Sequence, residues 1–269
     1  MVDDRVPRDR EDPGVQGGFG RVKSFEFPKD FFEYFRMEIL RVGAAAGDGA
    51  QSVKAIKAVK AAGLCCRYSL MKGYLLSAEE LADEAAMLEQ AGADAVTIMD
   101  SAGTMFPAEV AEYVRAMKAK VSIPVGFHGH SNLGLSQANA LAAVAAGADE
   151  IDCGLLGMAR SAGNCATELA AVTLKKEGYL PEVDLYGLLS YLDCKLIPAM
   201  REWNYKPAVL PEDLILGYSG CHSSFVKQMK KVAQEKGVDL YHLIVEVSRV
   251  DRKAPTLELM KNTAERLHD

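Results

Sequence analysis

Along this chain, stretches with apolar positions at helical spacing give way repeatedly to short apolar runs. Each alanine-rich stretch ends in Ala-Gly, and the apolar run begins at once. The unit reads VKAAG-LCCRYSL at 59–70, LEQAG-ADAVTIMDS at 88–101 and AVAAG-ADEIDCGLL at 143–156. Glycine at 63, 92 and 147 suits a helix C-terminus, where the backbone often takes a positive φ. One more helix, PAEVAEYVRAMKAK, and one more strand, SIPVGF, lie between the last two units. Ser77 followed by Glu80 is a capping-box pattern, and Pro107 suits the first turn of a helix over 107–119.

The pattern predicts strands at 39–43, 64–70, 95–100, 123–128 and 150–154. A sixth strand is expected at 21–26, with a helix over 27–37. Strand-helix alternation of this kind means parallel strands covered by helices. The fold class is therefore α/β, of the (β/α)8 TIM-barrel type. A complete barrel takes about 250 residues. Here the repeat stops near residue 175, so the barrel is expected to be incomplete. Residues 180–269 read as mostly helical, through DLYGLLSYLDCKLIPAMREW, SSFVKQMKKVAQEKG, DLYHLIVEVSRV and PTLELMKNTAERL. Three regions follow: a charged, aperiodic N-terminus over 1–20, expected to be disordered; a partial barrel over 21–180; and a helical C-terminal domain over 181–269. Open sheet edges predict a partial barrel, a completing partner chain or poor solubility.

Composition narrows the function classes. The 269 residues are 49% hydrophobic and 25% charged with a net charge of -6, which gives no general pull toward nucleic acid or anionic membrane. No apolar stretch approaches the ~20 residues of a membrane span. The first residues, MVDDRVPRDREDPGVQGG, lack the apolar segment of a secretory signal. Cys65, Cys66, Cys153, Cys165, Cys194 and Cys221 form no C-x-x-C pair. They read as reduced thiols in a cytoplasmic protein, most of them small buried hydrophobes.

Candidate chemistry concentrates in SIPVGFHGHSNLG, Ser122 to Gly134. Side chains two apart on a strand share a face, so His128 and His130 point the same way at the strand's C-terminal end. Barrel enzymes keep their chemistry at that end. Two imidazoles can hold a divalent metal if a third ligand comes from elsewhere. By spacing alone, two polar residues at a loop entrance is an equal reading. Asn164 lies in a Gly-Asn turn beyond the next strand, either as a ligand-facing amide or as a turn and cap residue. Asp100 and Ser101 end a strand as functional contacts or as loop caps. Arg41 and Arg67 lie within strands, where a charge needs a partner or a mouth position; a structural ion pair or a substrate carboxylate would serve. Arg160, in GMARSAGN, is a solvent-facing carboxylate binder on this reading. The run KQMKK at 227–231 reads as a solvated helix face.

The stretch HGHSNLGLSQANALAAVAAGADEIDCGLLGMARSAGNCATE resembles the HxH-to-GAGN region of 4-hydroxy-2-oxovalerate aldolases, within the group that contains hydroxymethylglutaryl-CoA lyase and isopropylmalate synthase. TIMDSAGTMFPAEV and LILGYSGCHSSFVKQ are similar to two further segments of those aldolases, in the same order. The resemblance spans roughly residues 38 to 250. It implies that the strands present are barrel strands 4 to 8, with 3 as an addition. It implies a divalent-metal-dependent aldolase, with Mn2+ the first choice and Mg2+ or Co2+ as substitutes, that cleaves a 4-hydroxy-2-oxo acid to pyruvate and an aldehyde. His128 and His130 would be metal ligands. Ser101, Arg160 and Asn164 would face the 2-oxo acid substrate. His222 stands where the aldolases carry a tyrosine proton donor, so it is the catalytic candidate. The helical region would contact an acylating acetaldehyde dehydrogenase, and a homo-oligomer is compatible with this reading. The Asp-x-Thr-Leu-Arg-Asp-Gly segment that supplies an acidic metal ligand in this family has no match here. Two alternatives follow: a catalytically incomplete binding or scaffold subunit of an aldolase-dehydrogenase assembly, and a Claisen-type acyl-CoA synthase of the same group.

Overall fold

The computed structural model describes residues 38–180, 182–203 and 211–267. The expected disorder over 1–20, strand over 21–26 and helix over 27–37 lie outside the described residues. Five strands form one parallel sheet in sequence order: β1 (Ile39–Ala45), β2 (Cys65–Met71), β3 (Ala95–Asp100), β4 (Val125–Gly129) and β5 (Glu150–Asp152). All five expected strands are present. β4 starts later than expected because Pro124 has no N–H for the ladder, and its carbonyl instead accepts from Val96 N at 3.0 Å. β5 ends early because Leu155–Gly157 turns into a short 3-10 segment.

Residue alternation sorts the two faces of the sheet. Leu40, Val42, Cys66, Tyr68, Leu70, Val96, Ile98, Val125, Phe127 and Ile151 join one apolar cluster on the helix side. That cluster packs under α1 (Val53–Ala61), α2 (Ala78–Gln90), α3 (Pro107–Lys120) and α4 (Ser136–Ala145). The opposite face carries Arg41, Arg67, Ser69, Thr97, His128, Glu150 and Asp152. It is polar because it holds the ion pairs Arg41–Asp152 and Arg67–Glu150. Both arginines therefore have structural partners.

The recurring Ala-Gly-Ala-Asp has a shared physical basis. Gly92 and Gly147 take φ of 110° and 101°, which ends the helix and turns the chain into the strand. The aspartate that follows then ties two neighbouring elements. Asp94 accepts from Cys66 N at 2.6 Å and from Lys60 Nζ at 2.6 Å. Asp149 accepts from Val125 N at 2.7 Å and from Lys118 Nζ at 2.8 Å. Ser77 and Glu80 form the expected capping box at the start of α2.

The C-terminal part is helical as predicted. After α5 (Thr167–Lys176), α6 (Leu185–Tyr191) passes through a π turn, Leu192–Leu196, into α7 (Ile197–Glu202). Pro198 lacks the N–H that a regular helix would need there. Then come α8 (Pro211–Ser219), α9 (Val226–Lys236), α10 (Leu240–Val250) and α11 (Leu257–Arg266). The apolar pattern did not foretell α8. The last four helices share a second core around Met229, Leu243, Ile244, Val247 and Met260. This unit sits over the C-terminal ends of the strands. A Cβ on Gly217 would meet Leu133 Cγ at 2.8 Å, so glycine there lets α8 approach the loop after β4. Tyr74 Oη donates to the Gly220 carbonyl at 3.3 Å, and Lys72 Nζ donates to the Lys253 carbonyl at 2.5 Å.

Candidate metal and active site

The strand register builds the site. Met99 and Asp152 flank His128 on β3 and β5. His128 Nδ1 lies 3.4 Å from Asp152 Oδ2. His130 stands just past β4, where its N–H donates to the Asp100 carbonyl at 3.2 Å. The two rings lie edge to face, with centroids 5.3 Å apart and planes at 70°. The expectation that they share one side is met.

A contorted loop brings Asn164 to them. Leu156, Gly157, Ser161 and Gly163 all take positive φ, and a Cβ on Gly163 would strike the Gly157 carbonyl. The loop folds back so that His130 and Asn164 form an antiparallel bridge, and Ser131 N donates to the Gly163 carbonyl at 2.9 Å. Asn132 stitches three segments together: its Nδ2 donates to the Ala102 carbonyl at 2.9 Å, and its Oδ1 accepts from Ala162 N at 3.1 Å. His130 Nδ1 and Asn164 Oδ1 are left buried without a hydrogen-bond partner. Buried polar atoms seldom remain unpaired, which makes these two atoms candidates for contact with a ligand.

The other candidates surround this point. Arg160 donates to Ser223 Oγ at 2.8 Å and to the Ser101 carbonyl at 3.3 Å, so it spans from the barrel loops to the helical unit. Ser101 is buried, and its Oγ accepts from Lys72 N at 2.9 Å. The Asp100 carboxylate accepts from Thr104 N at 2.9 Å and Met105 N at 3.0 Å, so it caps the loop after β3. Burial pushes its pKa up to about 6 against the pull of those N–H groups. His222 is buried at the N-terminus of the Ser223–Phe225 turn. Ser224 N donates to its Nδ1 at 3.2 Å. Burial, reinforced by the charges of Arg160 and Lys72, pushes its pKa down to about 3. The ring is thus neutral near pH 7, with its proton on Nε2. His130 is likewise pushed down to about 3, by burial and then by Arg160 and His128.

Three residues were not singled out from sequence as part of this site. Asp152 faces both His128 and Arg41, Asn132 ties the loops, and Lys72 packs over the Phe225 ring at 5.3 Å. Alternation along β5 gave a signal for Asp152 only, since it shares the face of Glu150. Burial opposes ionisation of Asp152, but His128 and Arg41 outweigh it and hold the carboxyl well below the usual range.

The residues suit a divalent cation in part. Two imidazoles come together, and the backbone bridge sets Asn164 opposite His130; imidazole and amide oxygen are donors that such ions accept. Among the described residues, no three His, Cys, Asp or Glu side chains come together as a metal site. The imidazole pair is therefore a partial ligand set.

The parallel sheet carries its paired imidazoles at the C-terminal end of the fourth strand, and sequence comparison gives the family. The chain belongs to the HMGL-like family, which matches residues 46–194, and residues 207–253 match the DmpG-like communication domain. The 4-hydroxy-2-oxovalerate aldolase of Roseiflexus castenholzii is 37% identical over 213 residues, covering 79% of this chain and 62% of that protein. The 4-hydroxy-2-oxovalerate aldolase of Geobacillus genomosp. 3 is 34% identical over 238 residues, covering 88% of this chain and 68% of that protein. The chain thus spans about three-fifths of the length of the first of these relatives. In fold it is similar to the carboxyl transferase domain of Rhizobium etli pyruvate carboxylase, with a TM-score of 0.70 at 16% identity, covering 88% of this chain and 43% of that one. No helix among the described residues is long and apolar enough to cross a membrane.

Proposed function

We propose that this chain works as a divalent-metal-dependent aldolase that cleaves a 4-hydroxy-2-oxo acid of the 4-hydroxy-2-oxovalerate type to pyruvate and an aldehyde. One observation carries the reading: the rings of His128 and His130 lie 5.3 Å apart, and a backbone bridge pairs His130 with Asn164, whose buried Oδ1 has no hydrogen-bond partner. His128 and His130 would hold the cation, Mn2+ by preference. When bound, it supplies Lewis-acid polarisation of the keto group.

The chain's own residues supply the rest. Arg160 presents a guanidinium for the substrate carboxylate, steadied by Ser223 and the Ser101 carbonyl. The Asn164 oxygen offers an acceptor to a substrate hydroxyl. Ser101 fixes the floor of the site through Lys72 N. As the 4-hydroxyl gives its proton to water, the bond between C3 and C4 breaks, the aldehyde forms and an enolate is left that must gain a proton at carbon. His222, whose protonated form titrates at about 3, holds no acidic proton near pH 7; its Nε2–H would instead donate a hydrogen bond to the water that protonates the carbon. The match over residues 207–253 supports docking of an acylating aldehyde dehydrogenase by the helical unit, which would receive the aldehyde.

The test is pyruvate release from 4-hydroxy-2-oxovalerate by purified protein with and without Mn2+. Metal-dependent release that is lost in His128→Ala and His130→Ala is the expected result. A second reading, a metal-binding or scaffold subunit without turnover, is favoured by the partial ligand set. Tight Mn2+ binding with no pyruvate release would establish it.

A further inference from the structure

Cys153 and Cys165 flank the loop that carries Arg160 and Asn164, and neither takes part in the chemistry proposed above. Gly154 and Ala166 form a parallel bridge, and Gly154 N donates to the Cys165 carbonyl at 3.0 Å. That pairing sets Cys153 beside Cys165 at about one strand spacing, ~4.8 Å. The distance falls inside the ~4.4–6.8 Å window between Cα atoms that a disulfide requires. Residues paired in this way project to the same side. Both side chains pack in the small apolar cluster of Ala140, Ala170 and Leu174, where Cys165 Sγ donates to Gln137 Oε1 at 3.3 Å. Cys165 is buried, while Cys153 is partly open to solvent. The other cysteines are arranged differently. Cys65 and Cys66 are consecutive on β2 and point to opposite faces, Cys194 is exposed, and Cys221 lies in the second core.

We infer that Cys153 and Cys165 are a peroxide-reactive dithiol that closes to a disulfide at the base of the active-site loop. Cys153, the more open thiol, attacks one oxygen of hydrogen peroxide as its thiolate. The O–O bond breaks, the leaving hydroxide takes up the proton released from Cys153, and one water departs. Cys153 is then a sulfenic acid. The Cys165 sulfur attacks the Cys153 sulfur, the S–O bond breaks, and the hydroxide leaves with the Cys165 proton as a second water. Two electrons pass from the thiol pair to the peroxide, and a thiol reductant reverses the bridge. The bridge closes a ring from 153 to 165 around backbone already held at φ of 56° at both Leu156 and Ser161. Oxidation therefore pins the segment that presents Arg160 and Asn164.

The experiment uses the full chain, reduced, freed of trace metal with a chelator and exposed to hydrogen peroxide. Free thiols are then alkylated and the protein is digested without reduction. The expected result is a peptide joining Cys153 to Cys165, lighter than the reduced pair by two hydrogen atoms. It appears as the alkylated forms of both cysteines are lost together, and dithiothreitol removes it. Dimedone is expected to label Cys153 in Cys165→Ser and not in the wild type. Three outcomes overturn the inference: both cysteines staying open to alkylation, cross-links only through Cys194 between chains, or Cys153 carried to sulfinic acid while Cys165 stays free. The wild-type measurement needs no variant to fold and no catalytic turnover.

Discussion

Arg41 and Asp152 stand on the two outermost strands of the sheet, yet their side chains form an ion pair. Only a strongly curled sheet lets its first and last strands reach each other across the concave face. The pair is partly solvated, with side-chain exposures of 36% and 25%, so solvent screens much of its energy. Arg41→Ala is expected to lower stability by about 1 kcal/mol. A double-mutant cycle with Asp152→Asn, read by urea unfolding, measures the coupling. Zero coupling would show that the clasp does not hold the curl.

Acid sensitivity should trace to the repeated aspartates. At Asp94 burial opposes ionisation, but Lys60 and the Cys66 N–H outweigh it and lower the pKa. At Asp149 Lys118 and the Val125 N–H do the same. A carboxyl held below its unfolded value contributes fully above about pH 4 and loses that contribution as pH falls through its folded value. Asp94→Asn with Asp149→Asn should therefore show a shallower loss of stability between about pH 5 and pH 2 than the wild type. Urea midpoints across that range give the comparison, and parallel curves would refute the assignment.

Gly103 has φ of 59°, and a Cβ there would sit 2.6 Å from both Asn132 N and the His130 carbonyl oxygen. Those are backbone atoms and cannot swing aside. Gly103→Ala is expected to cost at least about 2 kcal/mol. It should also weaken Mn2+ binding by displacing His130. Thermal melting and a metal titration check the two effects separately.

His222→Ala should lower kcat by roughly 10²–10³-fold, the usual worth of one positioned hydrogen-bond donor. KM should change little, since that hydrogen bond is assigned to the proton-transfer step. Steady-state pyruvate release gives both numbers. A rise in KM alone would reassign His222 to binding.

Arg160→Lys should raise KM for the 2-oxo acid by about ten-fold, because an ammonium cannot reproduce the planar fork that serves Ser223, the Ser101 carbonyl and a carboxylate together. An unchanged KM would remove Arg160 from substrate binding.

The chain's pattern alone determined the five strands, the glycine stops at 63, 92 and 147, the caps at Ser77 and Pro107, and the shared face of His128 and His130. Each depends on spacing within a few residues, which periodicity and local backbone preference record directly. The tertiary structure decided that Arg41 and Arg67 pair with Asp152 and Glu150, that Asn164 folds back onto His130, that Arg160 reaches Ser223 and that His222 is buried. Those meetings join residues far apart in the chain. They depend on strand register, on the curl of the sheet and on the seating of the helical unit, and no local spacing encodes any of these.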